Sequence, residues 1–460
     1  MRHDFLGNPV SAMRDETLAA VRHFVEGILA YETRAEAVVA AADADPDCCL
    51  ANVYAGFLWM FLEAPAAALH AAKYLAAAER CAAAATPRER LNLDLLRAWA
   101  ADDVTQALLI CERISDGYPR DLVAVKIRQY HEFNRGNFPE MLRAALKVLK
   151  ANEDVSHAHG MAAFAYEQCR LLDEAEAAAR AALELRRREP WAQHAVAHVM
   201  LSRGRIDEGA RFLEGVSDGW TGLNSFMSTH LWWHLALFYL SQGHRARVLD
   251  LYDRRCWGIA KSYSQDQIGA VSLLARMELA GIDVGDRWAD LGDHLAARAH
   301  DTVLPFLTLQ YLYGLARAGR AESDALLRSV HHAAALAPDH ARRVWAEVAL
   351  PACEGLVAHA RGDFEASWRL LNAALPRLAE AGGSHAQRDL FEQFALDAAM
   401  RTGRLAAAQQ ALELRRATDP DGVPVNSSLA RVYEESGLPR LARQARVRAE
   451  STRRRHPAKA

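Results

Sequence analysis

No C-x-x-C pair occurs among the seven cysteines, and Cys48-Cys49 is the only close couple. A zinc ribbon and a dithiol redox centre are thereby excluded. Scattered thiols of this kind read as reduced and buried, as in a cytosolic protein. No apolar run reaches about eighteen residues without a charge, so no membrane span is expected. The opening residues, MRHDFLGNPVS, hold no apolar stretch of a signal peptide. There is no H-E-x-x-H, Walker loop or dinucleotide fingerprint. Those absences remove the zincin, P-loop and Rossmann classes. An excess of positive charge is missing too: the formal net charge is -3 over 460 residues. Neither nucleic acid nor an anionic membrane is an expected partner. Strand signals are nearly absent.

What is present is helix. Alanine, leucine, arginine and glutamate dominate, and apolar residues recur at three and four rather than at two. Breaks such as Asp45-Pro46, Thr86-Pro87, Gly136-Asn137, Gly204, Gly243, Gly281, Gly319, Gly362, Gly403 and Gly437 interrupt the pattern, many roughly 35–42 residues apart. This is the mark of a tetratricopeptide-type array, with roughly 34 residues per helical hairpin. The clearest copy is 389–420, with Gly403 at the turn, Ala408 after it and Pro420 at the end. Residues 157–190 follow the same plan with Ala163 at the tight crossing, and 191–216, 230–253, 305–330, 348–375 and 426–449 are looser copies. Ala197 and Ala236 take the crossing place in their own repeats. The expected fold is all-α, a right-handed α-solenoid of tetratricopeptide-like hairpins. One domain is expected over 1–450, with an irregular insert at 217–229 anchored by Trp220. A second irregular segment is expected at 254–304, containing helices over 265–280 and from Arg287. The basic stretch 451–460 is expected to be a disordered tail.

Two H-x-x-x-H pairs stand out, His194/His198 and His230/His234. Four-residue spacing on a helix puts both rings on one face, about 5–6 Å apart at Cβ. Aligning Gly204 and Gly243 as repeat turns, with Arg170 in the same place one repeat earlier, points three sets of residues into one inner groove. They are His157, Phe164 and Glu167; His194 and His198; and His230, Trp233 and His234. Trp191 opens the middle helix. A second constellation, His385, Gln387, Arg388 and Asp389, follows Gly382-Gly383. Ser384 is placed to cap that helix, and Arg388 to meet an anion.

Several stretches together resemble the tetratricopeptide repeat protein 38 family. They are Gly7-Asn8-Pro9-Val10-Ser11, Tyr118-Pro119-Arg120-Asp121, the run from Trp191 to His198, the run from His230 to His234, and the run from Gly383 to Asp389. The likeness spans about residue 4 to about residue 440, in the family's order. Asn92 departs from it, where the family prefers histidine. The resemblance implies a helical-repeat fold and supplies little biochemistry.

Two uses of the histidines remain open beside a purely structural one. Neutral imidazoles one helical turn apart can chelate a divalent transition metal, with His194, His198, His230 and His234 as ligands. Alternatively they act as acid, base or hydrogen-bond donors, with Glu167 orienting a ring. The first expectation is a cytoplasmic binding protein. Its concave pocket takes a peptide end or small molecule against His157, Phe164, Trp191, Trp233, His385, Arg388 and Asp389. The alternative is an enzyme using the same pocket. Self-association is left open.

Overall fold

The computed structural model describes residues 2–456. It is all-α, a tetratricopeptide-like array of helical hairpins. Among the described residues the only paired strands are two short ones, Arg2–His3 against Pro9–Val10. The hairpin turns are made by a residue in the left-handed region. Gly136, Gly204, Gly243 and Gly403 take it with φ between 66° and 81°. Arg170 takes the same conformation at φ 64°, in the place where the repeat register expects a turn.

Of the described residues, 2–195 and 219–227 form one compact unit, and 196–218 with 228–456 form a second. A single continuous domain over 1–450 was the expectation from sequence. The division falls within the helix Pro190–Ser202, where the periodicity shows no break. In a repeat array each hairpin packs only on its neighbours, so a long array can separate between repeats without a linker. The insert explains why the first unit is discontinuous in sequence. Its indole anchor, Trp220, is buried and donates to Gln193 Oε1 at 2.9 Å. The insert is also shorter than expected, because the helix Ser225–Gln242 begins inside it.

The first unit runs from the helix Asp15–Ala30 to Leu172–Leu185. Its core includes stacked Phe24 and Tyr54, with ring centroids 4.4 Å apart. The second unit runs through Ser264–Leu279, Pro305–Arg317, Leu350–Ala360 and His385–Arg401 to Pro439–Arg455. Ala163, Ala197 and Ala236 are fully buried. Residues 254–304 hold the helices Ser264–Leu279 and Arg287–Leu295.

The tail expectation is corrected. Residues 451–455 belong to the helix Pro439–Arg455. Ala442, Ala445, Ala449 and Thr452 form a buried face, while the arginines lie on the others. Thr452 Oγ1 donates to the Asp421 carbonyl at 2.8 Å, and Arg455 pairs with Asp421 at 2.6 Å. A charge count ignores such a stripe of small residues. Residues 457–460 of the tail lie outside the described residues. Among the described residues no helix is long and apolar enough to cross a membrane.

Candidate functional site

In the second unit, His198 comes from the helix Pro190–Ser202, and His230, Trp233 and His234 come from Ser225–Gln242. His198 and His234 are fully buried, Trp233 is 1% exposed and His230 9%. The His198 and His234 ring centroids are 4.6 Å apart, and those of His230 and His234 4.7 Å. Trp233 stacks on His230 at 5.2 Å and stands edge-on to His234 at 4.8 Å. One ring nitrogen from each of His198, His230 and His234 lies within 4.8 Å of the others. Three imidazoles predicted on two helices are thus gathered at one point.

The sequence motif at 382–389 meets the same place. Gly382 and Gly383 turn the chain at φ 94° and 78°. A Cβ on Gly383 would lie 2.3 Å from the Phe306 ring, so the close approach as well as the turn demands glycine. Ser384 then caps the helix His385–Arg401 in a reciprocal capping box with Gln387. His385 stands edge-on to His198 at 5.5 Å, and its Nε2 lies 3.0 Å from Ser202 Oγ. Arg388 donates to the Gly383 carbonyl and closes the turn. Its side chain therefore serves the backbone of the motif.

Arg276, on Ser264–Leu279, links the histidines to this helix start. Its guanidinium lies 5.3 Å over the Trp233 ring. It donates to the Ala386 carbonyl at 2.8 Å and to Ser272 Oγ, and lies 3.8 Å from Asp389. Arg415 holds Asp389 at 2.6 Å. Periodicity alone gave no sign of Arg276; only the packing of distant helices brings it here.

Burial pushes the His230 imidazole down to about 3, and His198 adds to the effect in the same direction. His230 is therefore neutral at pH 7, the form that ligates metal. Burial also lowers the Arg276 guanidinium to about 10, against the opposing pull of Asp389. Burial would raise Asp389, but Arg415 and Arg276 outweigh it and hold the carboxyl at about 2.

The remaining predicted residues belong to the first unit. His194, one turn before His198 on the shared helix, stacks on Trp191 with centroids 4.5 Å apart and meets Phe164 at 5.1 Å. Trp191 stacks on Tyr31 at 5.0 Å, and the Lys126 ammonium sits 3.5 Å over Tyr31. Glu167 is fully buried and accepts from Gln168 Nε2 at 2.6 Å. His157 is only 2% exposed, and its Nδ1 is 2.6 Å from Glu189 Oε2. It packs within the unit rather than standing open in a groove, because its helix is covered by the segment carrying Glu189.

A buried charge cluster that sequence reasoning missed also lies in the first unit. Arg88 pairs with Asp121 at 2.8 Å and Asp4 at 3.5 Å, and all three side chains are 1% exposed. Asn92 donates to Asp121 at 3.0 Å, which gives the departing position a structural task. Asn8 Nδ2 donates to the Arg120 carbonyl at 3.2 Å, and Arg120 Nε donates to the Leu6 carbonyl at 2.9 Å. The motifs at 7–11 and 118–121 are therefore two halves of one latch.

No protein-family model matches the chain. Among solved structures it is similar to human IFIT1 bound to m7Gppp-AAAA, at 12% identity over 96% of each chain, with a TM-score of 0.43. It is also similar to the P58(IPK) TPR domain, at 13% identity over 80% of this chain and 98% of that one, with a TM-score of 0.22. A further likeness is to the APC/C hetero-tetramer Cut9-Hcn1, at 12% identity over 82% and 96%, with a TM-score of 0.24. These are likenesses of helical-repeat fold alone.

Proposed function

We propose that the protein is a tetratricopeptide-like binding protein whose second unit holds a divalent transition metal on His198, His230 and His234. The metal in turn presents an open position to a small ligand. The observation that carries the proposal is the approach of three ring nitrogens to within 4.8 Å of one another. At Zn–N bonds of about 2.0–2.1 Å, ligand nitrogens in a tetrahedral site are roughly 3.4 Å apart, so small side-chain rotations close the set. Imidazole donors suit zinc, copper, nickel and iron. Three protein ligands leave the fourth position free, the arrangement that lets a bound ion take an outside molecule. Trp233 walls the pocket, and Ser202, His385 and Arg276 supply the polar contacts around it. The site draws on three of the motifs that resemble the tetratricopeptide repeat protein 38 family, in keeping with that narrower likeness. Net charge gives nucleic acid no part in the proposal.

The test is elemental analysis of untagged protein, followed by titration of metal-stripped protein with Zn(II) or Co(II). About one ion per chain is expected. His198→Ala and His234→Ala should each lose it while keeping the helical circular dichroism of the parent. Folded parent protein that takes up no ion would overturn the proposal. So would uptake unchanged in both variants.

A further inference from the structure

A concave site in the second unit shares no residue with the histidine cluster. It lies at the ends of Ser264–Leu279, Pro305–Arg317, Leu350–Ala360 and His385–Arg401, and is flanked by Val423–Glu435. Its volume is about 530 Å³, within the usual range for small-molecule sites of roughly 300–1,000 Å³. A buried histidine–aspartate pair lies in its wall: His359 Nε2 is 3.1 Å from Asp397 Oδ2, with side chains 8% and 10% exposed. Arg401 Nε donates to the same oxygen at 2.7 Å. Burial would raise the Asp397 carboxyl, but His359 and Arg401 outweigh it and hold it below the ordinary carboxylate range. An ionised Asp397 requires the hydrogen on His359 Nε2, which fixes the orientation of the ring.

The walls divide by chemistry. Phe364, 5.4 Å from the His359 ring, and Met400 offer an apolar side. The Arg401 guanidinium lies 4.7 Å over Phe364. Arg317, Arg401 and Arg431 bring three positive charges to the lining, against Glu278 and Asp397. Ser427 and Ser428 add hydroxyls beside Arg431. Each arginine has a carboxylate partner, Arg317 with Glu278, Arg401 with Asp397 and Arg431 with Glu435; Arg401 and Arg431 meet theirs through Nε, and their terminal guanidinium nitrogens are the donors offered to an anion. Cations and hydroxyls on one side and an aromatic ring on the other suit a molecule with an anionic head and an apolar body.

We propose that this groove binds a small aromatic organic acid. Arg431, Arg401 and the two serines receive its anionic group, and Phe364 and Met400 receive its ring. His359, held by Asp397, lies between the two halves and fixes the depth at which the ligand sits.

The test uses the full chain and 8-anilinonaphthalene-1-sulfonate, an aromatic anion whose fluorescence reports binding. N-phenyl-1-naphthylamine, which lacks the sulfonate, serves as the neutral counterpart. One saturable sulfonate site is expected, displaced by phenyl phosphate. Losing one charged hydrogen bond should weaken it about tenfold or more in Arg431→Gln. His359→Gln should weaken it as well. Arg254→Gln, which changes an exposed arginine outside the groove, should leave it unaltered. Arg431 is half-exposed, so its variant folds even if His359→Gln does not. Unsaturable binding, equal affinity for the neutral probe, or an unchanged site in Arg431→Gln would each overturn the proposal.

Discussion

Replacing Arg276 by Met should separate stability from metal affinity. The side chain is 2% exposed. Burial lowers its guanidinium to about 10, so keeping the charge there costs the folded protein about 3 kcal/mol. Met removes that cost and fills much of the same volume. It also strips donors from the Ala386 carbonyl and Ser272 Oγ, at about 1–3 kcal/mol for each buried group left unmet. Asp389 is not stranded, because Arg415 still holds it at 2.6 Å. The losses come to about 2–6 kcal/mol against a gain of about 3, so the denaturation free energy of Arg276→Met should lie between about 1 kcal/mol above and about 3 kcal/mol below the parent. Affinity should not survive in the same way. Arg276 ties Trp233 to the start of the helix that carries His385, and losing a partner of this kind around a metal site costs about 10–100-fold. Urea denaturation of the metal-free protein gives the first quantity, and competitive zinc titration the second. Destabilisation above about 4 kcal/mol, at the upper end for a broken buried ion pair, would make Arg276 an ordinary structural cation. Unchanged zinc affinity would remove its positioning role.

Arg88→Met poses the opposite case, because it leaves Asp4 and Asp121 buried without their cation. The expected loss is about 3–5 kcal/mol at pH 7. Burial already raises the Asp4 carboxyl, and without Arg88 it rises further. Protonation then relieves the variant, so the deficit should narrow as pH falls from about 7 to about 5; a constant deficit would contradict the latch. Gly403 sits at φ 72°, with open space where a Cβ would stand. Gly403→Ala should therefore cost only the left-handed backbone penalty of about 1–2 kcal/mol by denaturant melt, and no loss at all would mean that the turn relaxes freely. Burial lowers the Lys126 amine to about 7, with Glu189 opposing. A base depressed on folding destabilises while the unfolded chain still binds the proton, so its contribution to stability should improve as pH rises from about 7 toward 10.4. Carbon-13 NMR of reductively methylated protein should show this one of six lysines titrating near neutrality. A midpoint above about 9, close to an ordinary lysine, would contradict it.

The parts legible in sequence are those written in local spacing. Helix periodicity and turn glycines recur within each repeat, so the all-α array follows from them. Arg170 shows that the register carries more than glycine does, since it holds the turn conformation at φ 64°. His198, His230 and His234 were legible because four-residue spacing and repeat register are both short-range rules. The His359–Asp397 pair was not, because its members are 38 residues apart and neither sits in a motif. Arg88 and Asp121 are 33 residues apart and were hidden in the same way. The Tyr118–Asp121 motif was visible only through resemblance, and its partner at residues 7–11 could be assigned only in three dimensions. The division into two units was illegible because the helix Pro190–Ser202 has the same pattern on both sides of it.

The helix His385–Arg401 gives a physical reason for reading both sites as functional. Asp389, Gln393, Asp397 and Arg401 recur every four residues and form a polar row along it. Gln393 Nε2 donates to Asp389 at 2.6 Å, and Arg401 Nε donates to Asp397 at 2.7 Å. Leu390, Phe391, Phe394 and Ala398 are buried off this row. An inner helix of a hairpin array is held by apolar and small residues, and a continuous polar row adds little to that packing. Buried ion pairs are in general no better for stability than well-packed apolar side chains. Yet the row begins at the carboxylate that Arg276 joins to Trp233 and ends at Arg401 with the carboxylate, Asp397, that holds His359. Ser264–Leu279 repeats the arrangement, with Arg276 at the histidine cluster and Glu278 at the groove. Two neighbouring helices thus place polar side chains at the same two places, the two for which a metal and an anion are proposed.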